Sequence, residues 1–181
     1  MSTWTLVSWL LLAPVPPDGA AQLKKVDGLM PELRRLASER AVVLEVKRQN
    51  ARRVPLDTLQ QRDEAWRASP ALTPFMRQVL GSPGARALGR HHERLGRVMA
   101  EAFIMDNQGA LVGATRRTSD YWQGDEPKWR ESFNGGRGAE LREKPFFDES
   151  SQSYVLQVSL PVKDGARVIG ALTVSISLLE L

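Results

Sequence analysis

Three aromatic side chains, Tyr121, Trp122 and Trp129, share a short polar stretch with the cations Arg116, Arg117 and Lys128. Aromatic rings beside an open sheet face make apolar walls for a small molecule. Arginine can grip a carboxylate with a bidentate fork, and lysine offers a compact charge. The competing reading is that the rings plug the core of a loop and the cations are solvated surface charge. A second group of polar side chains, Gln157, Ser159, Thr173 and Ser175, recurs at every second residue in two apolar runs. Groups of this kind on a covered sheet face need partners, which a ligand, a water or a neighbouring side chain can supply.

Other chemistry is harder to assemble. His91 and His92 are the only histidines, and adjacent residues on a helix point about 100° apart, so they do not share one metal ion. No cysteine occurs in the 181 residues, which removes disulfides, thiolate metal sites and thiol catalysis. Asp120, Asp125 and Glu126 could gather a divalent cation, but Asp at such spacing more often caps the short helix that follows. Gly135-Gly136-Arg137-Gly138 is glycine-rich yet lacks the lysine and hydroxyl residue of a phosphate-binding loop. No nucleophile with its base and no pair of differentiated carboxylates emerges, so neither an enzyme nor a cofactor is expected.

These residues must be positioned by elements legible in the hydrophobic pattern. Helix formers run from Pro31 to Arg53, with Leu29, Leu33, Leu36, Val43 and Val46 at helical spacing and Pro31 suited to a first turn. The stripe must lie on something, either the domain's own sheet or a second copy of the chain. Pro55 ends this helix, and Leu56 to Ala68 reads as a second, carrying Leu59 and Trp66. Ser69-Pro70 and Ser82-Pro83-Gly84 punctuate the next stretch into short helices near Thr73 to Leu80 and Ala85 to Ala100.

The pattern then changes to strand, turn and strand. Ala102 to Met105 and Ala110 to Thr115 flank a turn in which Gly109 supplies positive φ. Asp120 to Asn134 reads as a loop with one or two helical turns, and a weaker strand follows near Ala139 to Glu143. Tyr154 to Val162 and Val168 to Leu178 alternate apolar with small polar residues around a Lys163-Asp164-Gly165-Ala166 turn, and are expected to pair antiparallel. The fold class is therefore α+β: an antiparallel sheet with its helices segregated at the start and the long N-terminal helix packed on one face.

Composition bounds the remaining possibilities. The chain has one domain's length, and 42% hydrophobic with 25% charged residues is an ordinary folded composition. Its net charge is +4, but basic and acidic residues are interleaved, and no basic motif with aromatic spacing marks a nucleic-acid interface. Trp4 to Val15 is an apolar run of signal-peptide length, too short to span a membrane. Small residues at Gly19-Ala20-Ala21 precede Gln22, although no Lys or Arg occurs before Lys24. Residues 1–21 are thus expected to be a signal peptide and 22–181 a single domain, made of a long helix over 22–53, a helical segment over 54–100 and the sheet with its loop over 101–181.

The ordered set of motifs resembles a Cache (PDC, PAS-like) sensor domain. The resemblance runs from about Val43 to Ile176 through Asp63-Glu64-Ala65-Trp66, Met105-Asp106-Asn107-Gln108-Gly109, Thr118-Ser119-Asp120-Tyr121-Trp122-Gln123-Gly124-Asp125-Glu126, Leu160-Pro161-Val162-Lys163-Asp164-Gly165 and Val168-Ile169-Gly170-Ala171-Leu172. It implies a PAS-like sheet and a periplasmic or secreted signal-transduction module, with loops that enclose a small ligand against the sheet. The ligand-binding residues expected are Tyr121, Trp122, Trp129, Arg116, Lys128, Gln157, Ser159, Thr173 and Ser175. The family's amino-acid sensors carry an aspartate where this chain has Ser175, so the resemblance favours a carboxylate-bearing or neutral metabolite in a pocket of little negative charge. With the last strand ending near Leu181, output through a membrane receptor or kinase partner is expected from a stand-alone module. The alternative is an interaction or scaffold protein that uses its amphipathic N-terminal helix, with no ligand.

Overall fold

Alternating apolar and small polar residues build the two longest strands, and every other element is arranged around that pair. A computed structural model describes residues 19–148 and 152–181. In chain order the helices are α1 (Gly19–Ala37), α2 (Arg40–Ala51), α3 (Leu56–Ala68), α4 (Pro74–Leu80), α5 (Pro83–Leu95) and α6 (Pro127–Phe133). The strands are β1 (Met99–Met105), β2 (Leu111–Ala114), β3 (Leu141–Arg142), β4 (Phe146–Asp148), β5 (Ser153–Asp164) and β6 (Arg167–Ser177). They form one sheet in the order β2-β1-β6-β5-β3, with β4 also pairing β5. All of these pairings are antiparallel.

One face of the sheet is apolar because alternate residues of each strand point to it. Ala102, Ile104, Leu156, Val158, Leu160, Leu172, Val174 and Ile176 meet Val26, Met30, Leu33 and Leu36 of α1, Val42 and Val46 of α2, and Leu88 of α5. A second, smaller core forms where Leu59 and Trp66 of α3 and Met76 and Val79 of α4 meet Phe103, Met105, Leu111 and Tyr121. The α+β class and the PAS-like sheet are as the sequence led us to expect.

The long N-terminal helix is in fact two helices. Ser38 turns its hydroxyl back onto the Arg35 carbonyl (2.9 Å), and Glu39 is extended at φ −61°, ψ 133°, so the chain restarts as α2. Local back-bonding by serine gives the backbone an alternative to the helical ladder. Pro31 lies inside α1 rather than in its first turn, where burial of Met30 before it and Leu33 after it holds the helix across its missing N–H. The stripe that could have received a second copy is occupied: Leu33 and Leu36 are fully buried against the chain's own sheet.

Two further differences are local. The last helix before the sheet stops at Leu95, and β1 begins at Met99, two residues before the expected change of pattern. The short strand β4 was not legible, because Phe146 and Phe147 are both exposed at the sheet edge and show no alternation of burial. The apolar run Trp4 to Val15 lies outside the described residues, and α1 begins at Gly19. Among the described residues no helix is long and apolar enough to cross a membrane.

Candidate functional site

The motif around Tyr121 is suspended from α3. Asp63 Oδ1 accepts the backbone N–H groups of Tyr121 (2.7 Å) and Trp122 (3.0 Å). Three residues on, the Trp66 indole donates to the Thr118 carbonyl (2.9 Å), and Arg117 donates back to the Trp66 carbonyl (2.7 Å). Asp63 and Trp66 therefore hold the loop from Arg117 to Gln123 against the helix by both ends. The loop also extends the sheet edge: Leu111 N–H donates to Tyr121 O (3.0 Å) and Gln123 N–H to Gly109 O (2.8 Å). Gly109 is required there, since its φ is +86° and a β-carbon would stand 2.4 Å from the Gly124 α-carbon.

Between this loop and the sheet face opposite α1 lies a cavity of about 560 Å³. Its floor is Glu101 and Phe103 of β1 and Gln157 of β5. Arg117 to Asp120, Gln123 and Glu126 form one wall, and Pro127, Lys128 and Glu131 at the start of α6 form another. Leu141, Glu143, Lys144, Phe146 and Asp148, from β3 through β4, close the far side. Register explains the floor: Glu101 pairs with Ser175, and Ser175 pairs with Gln157, so the three lie in one row across β1, β6 and β5.

The expected site residues divide between this cavity and the packing around it. Lys128 and Gln157 line the cavity. Lys128 also stands over the Phe103 ring, 5.5 Å from its centroid. Tyr121 is buried in the second core, 5.0 Å from the Phe75 ring centroid and 5.7 Å from Trp66. Burial, and next the Asp106 carboxylate, push its hydroxyl up to about 12. Trp122 donates its indole N–H to Gln108 O (2.7 Å), and Trp129 donates to Asp106 O (2.9 Å) while stacking on Phe133. Arg116 lies 3.6 Å from Glu101 and 3.7 Å from Asp148.

The small polar face is largely paired within itself. Ser159 and Thr173 share a hydrogen bond of 2.8 Å, and Gln157 donates to Ser175 Oγ at 3.1 Å. These cross-strand pairs satisfy buried hydroxyls without a ligand. Ser153 and Ser177 repeat the arrangement one step along (2.8 Å).

The charge of the cavity is the reverse of the expected one. Among the described residues its lining includes the carboxylates of Glu101, Asp120, Glu126, Glu131, Glu143 and Asp148 against the cations Arg117, Lys128 and Lys144. The acids arrive from separate elements, so no stretch of sequence displays them together. Burial raises the Glu101 carboxyl above its ordinary value, with Arg116 opposing and Asp148 adding to the shift. Glu143 is raised by burial as well, with Lys128 opposing the shift and Glu126 and Glu131 adding to it. Two buried acceptor atoms, Glu101 Oε1 and Gln123 Oε1, have no hydrogen-bond partner. Sequence reasoning missed Glu101, whose signal was a lone acid inside the apolar run Met99 to Met105.

No protein-family model and no curated protein matches the chain. Solved structures do. The sensor domain of the V. cholerae histidine kinase DctB is similar with a TM-score of 0.50 and 13% identity, over 88% of this chain and 55% of that one. The ligand-binding domain of the Campylobacter jejuni chemoreceptor Tlp3, in complex with L-norvaline, gives 0.48 and 13% over 87% and 54%. That of the Pseudomonas aeruginosa amino-acid chemoreceptor PctC, in complex with GABA, gives 0.38 and 15% over 78% and 60%. The chain thus spans little more than half the length of these structures. The likeness to the DctB sensor domain is one of fold.

Proposed function

We propose that this chain is a small-molecule-binding sensor module of the Cache type, acting outside the cytoplasm, with its ligand held between the Arg117 to Glu126 loop and the sheet. The observation that carries this reading is the cavity itself: its wall is fixed by Asp63 and Trp66, and two of its lining residues, Glu101 on the floor and Gln123 in the wall, each keep a buried oxygen without a hydrogen-bond partner. A preformed concave site with a few convergent polar groups is what small-molecule recognition requires. The role of sensor, rather than enzyme, is supported by the neighbours' description as sensor and ligand-binding domains. Placement in the periplasm or outside the cell is supported by the Trp4 to Val15 run and by Gly19-Ala20-Ala21 ahead of Gln22. Output would then run to a membrane receptor or kinase.

A metabolite screen by thermal shift tests the reading. A ligand at a hundredfold excess over its dissociation constant stabilises the folded chain by about 2.7 kcal/mol. Silence across carboxylates, amines, purines and sugars contradicts it.

A further inference from the structure

We propose that the groove beside the β5–β6 turn binds a phosphoryl group, held by the guanidinium groups of Arg53 and Arg167 and the side-chain amide of Asn107. The groove has a volume of about 640 Å³ and shares no residue with the cavity beneath the Arg117 to Glu126 loop. Elements distant in sequence build it, among them the end of α2, the β1–β2 turn at Asn107 and the start of β6. Asn50 ties these three together: its Nδ2 donates to the Ile169 carbonyl (2.7 Å), and its Oδ1 accepts the Asn107 N–H (3.0 Å). The residues that face the groove are thus set on one frame.

Charge decides what fits. The lining holds the cations Lys47, Arg53 and Arg167 and a single carboxylate, Asp164, which Lys47 takes at 2.7 Å. Among the described residues neither Arg53 nor Arg167 is in an ion pair, so their two positive charges are left over. The backbone supplies a second, independent observation. Arg53 follows the C-cap of α2 with φ +48°, a left-handed position that glycine or asparagine usually fills. Any other residue there carries a conformational cost, and what this one sets at the groove is a guanidinium. Gly135 and Gly136 line the groove without side chains, and a β-carbon added at either would meet nothing within 4 Å. That open wall leaves room for whatever the phosphoryl group is attached to. A dianion balances the charge left over. Its tetrahedral oxygens can meet donors arriving from three elements, whereas a planar carboxylate matches one fork.

The test is calorimetry on the folded chain in a phosphate-free buffer, with inorganic phosphate, glycerol 3-phosphate and succinate at matched ionic strength. Both phosphates are expected to bind saturably at one site, and succinate at least about tenfold more weakly. Tighter binding of the ester identifies an ester as the natural source of the group, and equal binding identifies free phosphate. Arg53→Gly and Arg167→Gln are each expected to weaken phosphate binding at least about tenfold. Glycine suits the left-handed backbone, so the melting temperature of Arg53→Gly should hold or rise while its affinity falls. Arg40→Gln, at the opposite end of α2, removes the same charge and should leave affinity unchanged. An equal loss in Arg40→Gln would reduce the effect to net charge and overturn the proposal. So would succinate binding as tightly as phosphate, phosphate binding that survives both groove variants, or no saturable binding of either phosphate. None of these outcomes bears on the cavity beneath the loop, which is lined by other residues.

Discussion

Asp63 holds Tyr121 by its backbone rather than by its ring. One carboxylate oxygen accepts the N–H groups of Tyr121 and Trp122, at 2.7 and 3.0 Å, and so fixes where the loop over the sheet begins. Removing that oxygen leaves two backbone donors without a partner. Asp63→Ala is expected to cost about 2–4 kcal/mol in urea unfolding. Hydrogen exchange should quicken at Tyr121 and Trp122 first.

The Tyr121 ring is a packing element, wedged between Trp66 and Phe75. Tyr121→Ala should destabilise the chain by about 3–5 kcal/mol, as large-to-small changes in a core do. If the variant kept full stability and lost only ligand affinity, the ring would belong to the binding surface instead.

Much of this architecture was legible in the chain. Leu56 to Ala68 emerged with the bounds its proline and apolar spacing suggested, and the Tyr154 to Val162 alternation became β5, the longest strand. Both signals are local, a turn residue beside a regular period. The break at Ser38 depends on one hydroxyl folding back, which competes with a helix by a margin that no pattern displays. The cavity was less legible still. Glu101 is some forty residues from Glu143 and Asp148 and meets them only because β1, β6 and β5 lie side by side and β3 and β4 pair with β5, so the cations beside Tyr121 gave the wrong sign.

Gly109 and Gly124 touch where the loop meets the hairpin turn. Gly109→Ala would combine a left-handed φ of +86° with a β-carbon 2.4 Å from Gly124. A loss of at least about 2 kcal/mol is expected. Gly89→Ala, with nothing within 4 Å of the added carbon in a helix, should be neutral or slightly stabilising.

Ser159 and Thr173 satisfy each other inside the sheet. Ser159→Ala alone strands one buried hydroxyl, and a loss of about 1–3 kcal/mol follows. The double variant Ser159→Ala with Thr173→Val should recover most of it. A double-mutant cycle without such coupling would show that water, rather than the partner, satisfies the pair.

Glu101 gives the ligand-free chain a pH signature. Burial is the main cause that lifts its carboxyl above the ordinary 4.5, so the folded state holds this proton more tightly than the unfolded one. Its contribution is full below the unfolded value and is lost as pH rises through the folded one. Glu101→Gln removes that loss, and its melting temperature should gain on the parent's as the pH is raised above the ordinary carboxyl value of 4.5. A gain that instead grew as the pH fell would place the Glu101 shift in the opposite direction.

The most direct test of the sensor reading is a map of where a small molecule lands. Amide chemical shifts of the folded chain would be followed during titration with the strongest hit from the metabolite screen. Saturable changes should concentrate at Glu101, Phe103, Gln123, Lys128, Glu143 and Gln157. Changes confined to the outer surface of α1 and α2, or no saturable change with any compound, would contradict a ligand-binding cavity beneath the loop.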